Sequence, residues 1–272
     1  MAMARPDRTS LVAALAARHL DRTLTTSLPP IDPHDEFSIG STGLDPLDAR
    51  LGGGFPRGQL SELVGPRSSG RTSVLLGMMA AATARGELVA LVDALDMFDV
   101  ESAVAAGVDL DRLLWIRGHV VPNPGLCRDM NQRAMEQAIR ALTLVLQAGN
   151  IGLVVFDVGE APSEALRRLP FTTWLRLQRM VEGRQTLCVL AGNEPMARSS
   201  AGLTVKLEGL RAQGSGLTGQ AGQAGQARQV GQARFSTRLF DGLNVEARVV
   251  RARTRLNEDS VVSFATAVSH HV

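Results

Sequence analysis

Gly65-Pro66-Arg67-Ser68-Ser69-Gly70-Arg71-Thr72 decides how this chain is read. Two glycines, a basic residue and a hydroxyl stand at the spacing G-x-x-x-x-G-[KR]-[ST] of a phosphate-cradling P-loop. Such a loop turns backbone N–H groups and a helix N-terminus toward an anion. The flanks suit it: Leu60–Val64 reads as a short buried strand, and Ser73–Ala82 as the helix that leaves the loop. The lysine usual at the seventh position reaches terminal phosphates as a compact point charge. Arg71 keeps the charge but is a longer planar fork that fits a lysine slot poorly. The stretch therefore predicts a nucleotide-binding fold whose site has been altered.

Composition sets the frame around this loop. A chain of 272 residues with 44% hydrophobic content fits one α/β domain with appendages. Mean hydropathy is near zero, at +0.04, and no apolar run approaches the roughly 20 residues of a membrane helix. The N-terminal run Leu11–Ala17 is short, preceded by Asp7 and followed by Arg18 and His19. It reads as an amphipathic helix with Leu11, Val12, Leu15 and Leu20 on one side, not as a secretory signal. Cys127 and Cys188 have neither metal spacing nor a CxxC neighbour, so both read as reduced thiols of a cytosolic protein. The net charge of +2 and pI near 8.9 do not by themselves imply nucleic acid. Lys206 is the only lysine, so an arginine-rich bias accounts for part of the change at Arg71.

Five segments follow along the chain. Residues 1–20 are an N-terminal helix, and 21–36 a linker bearing Pro29, Pro30 and Pro33. Residues 37–210 form the core, with strands predicted at Leu60–Val64, Leu88–Asp93, Leu113–Ile116, Ile151–Asp157 and Gln185–Ala191. Helices are predicted after Arg71 and over Val100–Ala106, Asp129–Gln147 and Phe171–Glu182. Near-continuous apolar strands alternating with helices predict a mostly parallel sheet covered on both faces. Residues 211–233 are near-repeats of Gly-Gln-Ala and read as a disordered insertion. Residues 234–272 return to the core: Arg234–Phe240 and Val245–Arg251 flank an Asp241-Gly242 step as in a hairpin, and Val261–Phe264 is a last strand before a tail. His270 and His271 in that tail read as solvated.

Asp157 ends the most apolar strand, where a Walker B carboxylate would hold Mg²⁺ beside the Thr72 hydroxyl. The alternative is an aspartate that caps the following turn. Thr72 and Asp157 are therefore the metal candidates, and Gly65 to Thr72 the nucleotide candidates.

Ser38 to Val108 resembles the core of RecA, the recombinase ATPase. The matching pieces are Ser41–Asp45, Gly52–Gly58, Gly65–Thr72, Val92–Ala94 and Ala106–Asp109. Weaker similarity runs through Val154–Asp157, Thr186–Asn193 and Ala247–Arg253. The resemblance implies a RecA-like core with an N-terminal helix and a C-terminal antiparallel hairpin. It also brings departures. The family's water-activating glutamate corresponds to Leu95, which is no base, and Asp96 beside it points elsewhere. The tyrosine that stacks on adenine corresponds to Ser102, the P-loop lysine to Arg71, and the γ-phosphate-sensing glutamine to Asn193. The mobile DNA-binding loop is reduced to Glu194–Gly202.

A RecA-like chain of small size with degenerate catalysis and no RecA-type C-terminal domain resembles the ImuA family of SOS-response mutagenesis. SulA-type division inhibitors are shorter and lack a recognisable P-loop. The resemblance implies a non-hydrolysing adaptor in translesion synthesis, in the bacterial cytoplasm at the nucleoid. Its implied partners are RecA, a translesion polymerase, that enzyme's Y-family-like companion, and single-stranded DNA. No cofactor is required on this reading; weakly held ATP with Mg²⁺ is the alternative. Two rivals stand beside it: a DNA-dependent ATPase of recombinational repair, and a switch that binds ATP without hydrolysing it.

Interface candidates complete the expectation. By resemblance, Leu11 and Leu15 belong to the helix with which RecA packs on its neighbour, or to a frayed end. Arg251 and Arg253 fall where RecA-like filaments reach the next subunit's nucleotide, or belong with Arg248 and Arg255 to a solvated edge. Arg167, Arg168, Arg176 and Arg179 are either phosphate contacts or a solvated helix face.

Overall fold

The computed structural model describes residues 38–120, 128–209, 243–253 and 261–266, together with Ala13, Ala16 and Ala17. A two-stranded ribbon pairs β1 (Ile39–Gly40) with β2 (Phe55–Pro56) around helix α1 (Asp45–Arg50). The main sheet then begins with β3 (Leu60–Val64), followed by α2 (Arg71–Ala84), β4 (Val89–Asp93), α3 (Val100–Ala105) and β5 (Leu113–Arg117). Next come α4 (Arg128–Ala148), β6 (Leu153–Asp157), α5 (Ser163–Arg167), α6 (Phe171–Val181) and β7 (Leu187–Gly192). The last strands are β8 (Ala201–Gly209), β9 (Leu243–Ala252) and β10 (Val261–Thr266).

The sheet has eight strands in the order β10-β9-β8-β3-β7-β6-β4-β5. Strands β3 to β8 are parallel, while β9 and β10 are antiparallel to their neighbours. Period-2 alternation builds two cores from the same strands. Val89, Leu91, Leu153, Val155, Val189 and Ala191 point to the face of α2. Ala90, Val92, Val154, Phe156, Cys188 and Leu190 point to the face of α4 and α6, against Met135, Leu142, Trp174 and Leu177. Helix α4 buries Met135, Ala138, Ile139, Leu142, Val145 and Leu146, a stripe at helical spacing. Burial in the strand pushes the Cys188 thiol up to about 12, so it is an inert core group.

The predicted elements of the core are all present, with ends moved by one or two residues. The C-terminal pairing differs from the reading of the Asp241-Gly242 step. Strand β9 lies between β8 and β10: Ala247 pairs with Leu207 on one side and Val262 on the other. Both edges of Val245–Arg248 are thus occupied, and the antiparallel hairpin is β9 with β10. The open edge of β8 sets the partner of β9. Arg234–Phe240, the insertion, the N-terminal helix with its linker, and Cys127 fall outside the described residues apart from Ala13, Ala16 and Ala17. Among the described residues no helix is long and apolar enough to cross a membrane.

Candidate nucleotide site

The loop leaves β3 at the carboxyl end of the sheet, where ligands of open α/β folds bind. Gly65 N–H donates to the Gly192 carbonyl at 3.1 Å, tying the loop to the end of β7. A Cβ on Gly65 would lie 2.5 Å from the Leu207 carbonyl oxygen and 2.6 Å from Ser69 Oγ, so β8 closes over the loop. Ser68 and Gly70 adopt left-handed φ of 60° and 87°, which folds the loop back to start α2. Pro66, Arg67 and Ser68 are exposed, while Ser69 is buried with an unpartnered hydroxyl oxygen. Gly70 caps α2 without a side chain, and no acid stands in the first turn. The first N–H groups of α2 and the exposed Thr72 hydroxyl are therefore available to an anion and its cation. This backbone cradle fits a phosphate group.

Arg71 is where the site departs from a working P-loop. Its guanidinium turns back on the protein: Nη1 donates to the Gly65 carbonyl at 2.5 Å and to Asn193 Oδ1 at 3.0 Å. The amide after β7 thus holds the basic residue of the loop. Strand parity places Asp93 and Asp157, register partners on β4 and β6, on the face of α2. Asp157 Oδ1 accepts from Gly159 N–H at 2.7 Å. Burial pushes the Asp157 carboxyl above its usual range; the Gly159 bond and the Arg71 charge oppose this, and Asp93 adds to it. Thr72 and Asp157 are hard oxygen donors suited to Mg²⁺ bridged by a nucleotide. No cluster of three or more metal-binding side chains exists among the described residues.

The hydrolytic positions do not fit. Leu95 is half-buried against the core, and its Cδ1 would lie 3.3 Å from a Cβ on Gly159, in the turn after Asp157. An alkyl group therefore lies against the turn that follows Asp157. Asp96, at left-handed φ of 58°, gives both oxygens to Arg117 at 2.6 and 2.7 Å. That guanidinium holds the Asp96 carboxyl below its usual range. Asp93 Oδ2 is taken by Phe98 N–H at 2.8 Å and Trp115 Nε1–H at 3.3 Å. Ser102 sits in the first turn of α3, its hydroxyl bonded to the capping Asp99.

Two features were missed from the sequence. Glu62, on the loop's own strand, is buried and accepts Met196 N–H at 2.6 Å, Ala197 N–H at 2.7 Å and Thr204 Oγ1–H at 2.8 Å. A lone acid inside an apolar strand was the available signal. Trp115 braces Asp93, packs edge-on to Phe98 at 5.3 Å and lies under Arg117 at 4.8 Å; nothing in its local sequence marks it.

The interface candidates scatter. Leu11 and Leu15 lie outside the described residues. Arg251 and Arg253 donate to the carbonyls of Arg198 and Ser199 in the same chain. Arg168 pairs with Glu164 at 3.1 Å, and Arg167 approaches Glu194 at 3.8 Å, while Arg176 and Arg179 are exposed.

Comparison with known proteins agrees with this geometry. Residues 31–162, just under half of the chain, match the RecA N-terminal domain family. Protein RecA of Streptomyces avermitilis is 36% identical over 126 residues, covering 46% of this chain and 30% of that one. Protein RecA of Mycobacterium ulcerans is 39% identical over 122 residues, covering 44% and 31%. The matched stretch thus spans under a third of those relatives' length. The crystal structure of the RadB recombinase superposes with a TM-score of 0.56 at 20% identity, covering 84% of this chain and 96% of that one. That likeness concerns the fold. Together the matches support a place in the RecA-like ATPase superfamily.

Proposed function

We propose that this RecA-like chain is a non-hydrolysing adaptor of DNA-damage-induced mutagenesis, of ImuA type, working at the bacterial nucleoid. It would join RecA to error-prone polymerase components at lesions. The observation that carries the reading is Leu95 itself: an alkyl side chain, packed on the core near the turn after Asp157, stands where the resemblance expects the water-activating glutamate, and it cannot accept a proton. Asp93 and Asp96 are engaged elsewhere, which weakens the rival reading of a DNA-dependent ATPase. An adaptor needs contact surface, and the edge strand β5 with α3 offers it. Met97, Val104 and Leu114 are 76%, 55% and 49% exposed there.

The test is ATP hydrolysis by the pure protein with and without single-stranded DNA, beside the double variant Arg71→Lys/Leu95→Glu. An inactive wild type and a variant that gains turnover support the adaptor. DNA-stimulated turnover by the wild type sinks it. A second reading, an ATP-binding switch, draws on the uncapped N-terminus of α2 and the exposed Thr72. Calorimetric titration with a non-hydrolysable ATP analogue and Mg²⁺ separates the two: a switch binds, a closed relic does not.

A further inference from the structure

A cavity of about 540 Å³ opens on the face of the sheet opposite α2, between the turn after β6, helices α5 and α6, and the segment after β7. Its apolar floor is formed by the partly buried Ala161 and Leu166 and the exposed Pro195, backed by the buried Trp174 and Met196. Its exposed lining carries two guanidinium groups and one carboxylate, those of Arg167, Arg198 and Glu194. Arg167 leans toward Glu194 at 3.8 Å, and Arg198 makes no ion pair among the described residues. The wall is anchored, because Glu62 holds the backbone N–H groups of Met196 and Ala197. Asn193 lines the cavity and also accepts from Arg71, so it stands between this space and the P-loop.

We propose that this cavity receives a polypeptide segment in which a large apolar side chain is flanked by acidic residues. The volume suits one or two such side chains on the apolar floor. The excess of guanidinium over carboxylate at the mouth complements flanking acids. Single-stranded nucleic acid suits it less. Base stacking needs an open aromatic face, whereas Trp174, the cavity's only aromatic ring, is 2% exposed, and Glu194 opposes a phosphodiester at the mouth. A bound segment touching Asn193 would also bear on the Arg71 contact. The inference names the partner class for the adaptor reading and rests on it, yet the two fail separately: ATP turnover judges that reading, and peptide binding judges the cavity.

The experiment is fluorescence anisotropy of the full chain with fluorescein-labelled acidic peptides centred on Phe or Leu. An acidic peptide centred on Ala and a labelled oligo(dT) serve as controls. The Phe- or Leu-centred peptide binds, and the Ala-centred one binds at least about tenfold more weakly. The double variant Arg167→Glu/Arg198→Glu, changed at exposed positions, melts like the wild type and loses about tenfold in peptide affinity. No binding of either apolar-centred peptide overturns the proposal, as does equal binding of the Ala-centred one. Oligo(dT) binding that alone responds to the charge reversal overturns it too, and makes the cavity a nucleic-acid site.

Discussion

Arg71 Nη1 lies 3.0 Å from Asn193 Oδ1, so the basic residue that opens α2 is held by an amide just beyond the end of β7. The same nitrogen donates to the Gly65 carbonyl at the start of the loop. A planar guanidinium can bridge two such acceptors; an ammonium on a shorter stem satisfies them less well and is freer to face a phosphate. Arg71→Lys should therefore tighten binding of a non-hydrolysable ATP analogue by about tenfold without creating turnover, because Leu95 remains. Calorimetric titration of the two proteins measures this, and equal affinities would remove Arg71 as the obstacle.

Gly65 has no room for a side chain. A methyl group there would press on the Leu207 carbonyl at 2.5 Å, and backbone within a sheet cannot swing away as a flexible side chain can. Gly65→Ala should cost about 1–3 kcal/mol in urea unfolding. A neutral result would mean that β8 does not close over the loop.

Glu62 accepts three hydrogen bonds in the interior, two from backbone amides of the segment that walls the cavity. Glu62→Gln keeps the shape but replaces one accepting oxygen by a donor. A loss of about 2–3 kcal/mol follows, with earlier proteolytic cutting near Met196 than in the wild type. Unchanged cleavage alongside lower stability would confine Glu62 to a core role.

Asp157 makes a prediction of sign. Burial raises its folded-state pKa above the ordinary 3.8, so between the two values the folded chain binds more protons than the unfolded one. Its contribution is fully present below pH 3.8 and is lost as pH rises through the folded value. In chelator at neutral pH, Asp157→Asn should raise Tm, and the gain should vanish toward pH 4 and below. Thermal melts across that range decide it; a gain that grows in acid would reverse the assignment. Any rise in Tm that Mg²⁺ with an ATP analogue gives the wild type should be absent from this variant.

Local signals were legible because they depend on neighbours in the chain. The glycine spacing of Gly65–Thr72 dictates a tight anion-facing turn, and the apolar runs ending in Asp93 and Asp157 dictate strands buried on both faces. Leu95 is aliphatic in any fold.

Relations between distant segments were decided only by tertiary structure. The partner of β9 depended on which edge β8 left open, a competition that Asp241-Gly242 cannot report. Arg251 and Arg253 read as arms reaching a neighbour or as a solvated edge; only the pairing of β9 with β8 brings the carbonyls of Arg198 and Ser199 within their reach. Glu62 is by sequence one acid inside the strand Leu60–Val64; folding alone brings Met196, Ala197 and Thr204, more than a hundred residues on, to surround it. Sequence alone determined which chemistry each residue can perform, since that resides in the side chain. Folding decided which acceptors and donors stand within about 3 Å, and hydrogen-bond energy is steep in distance and angle but blind to separation along the chain.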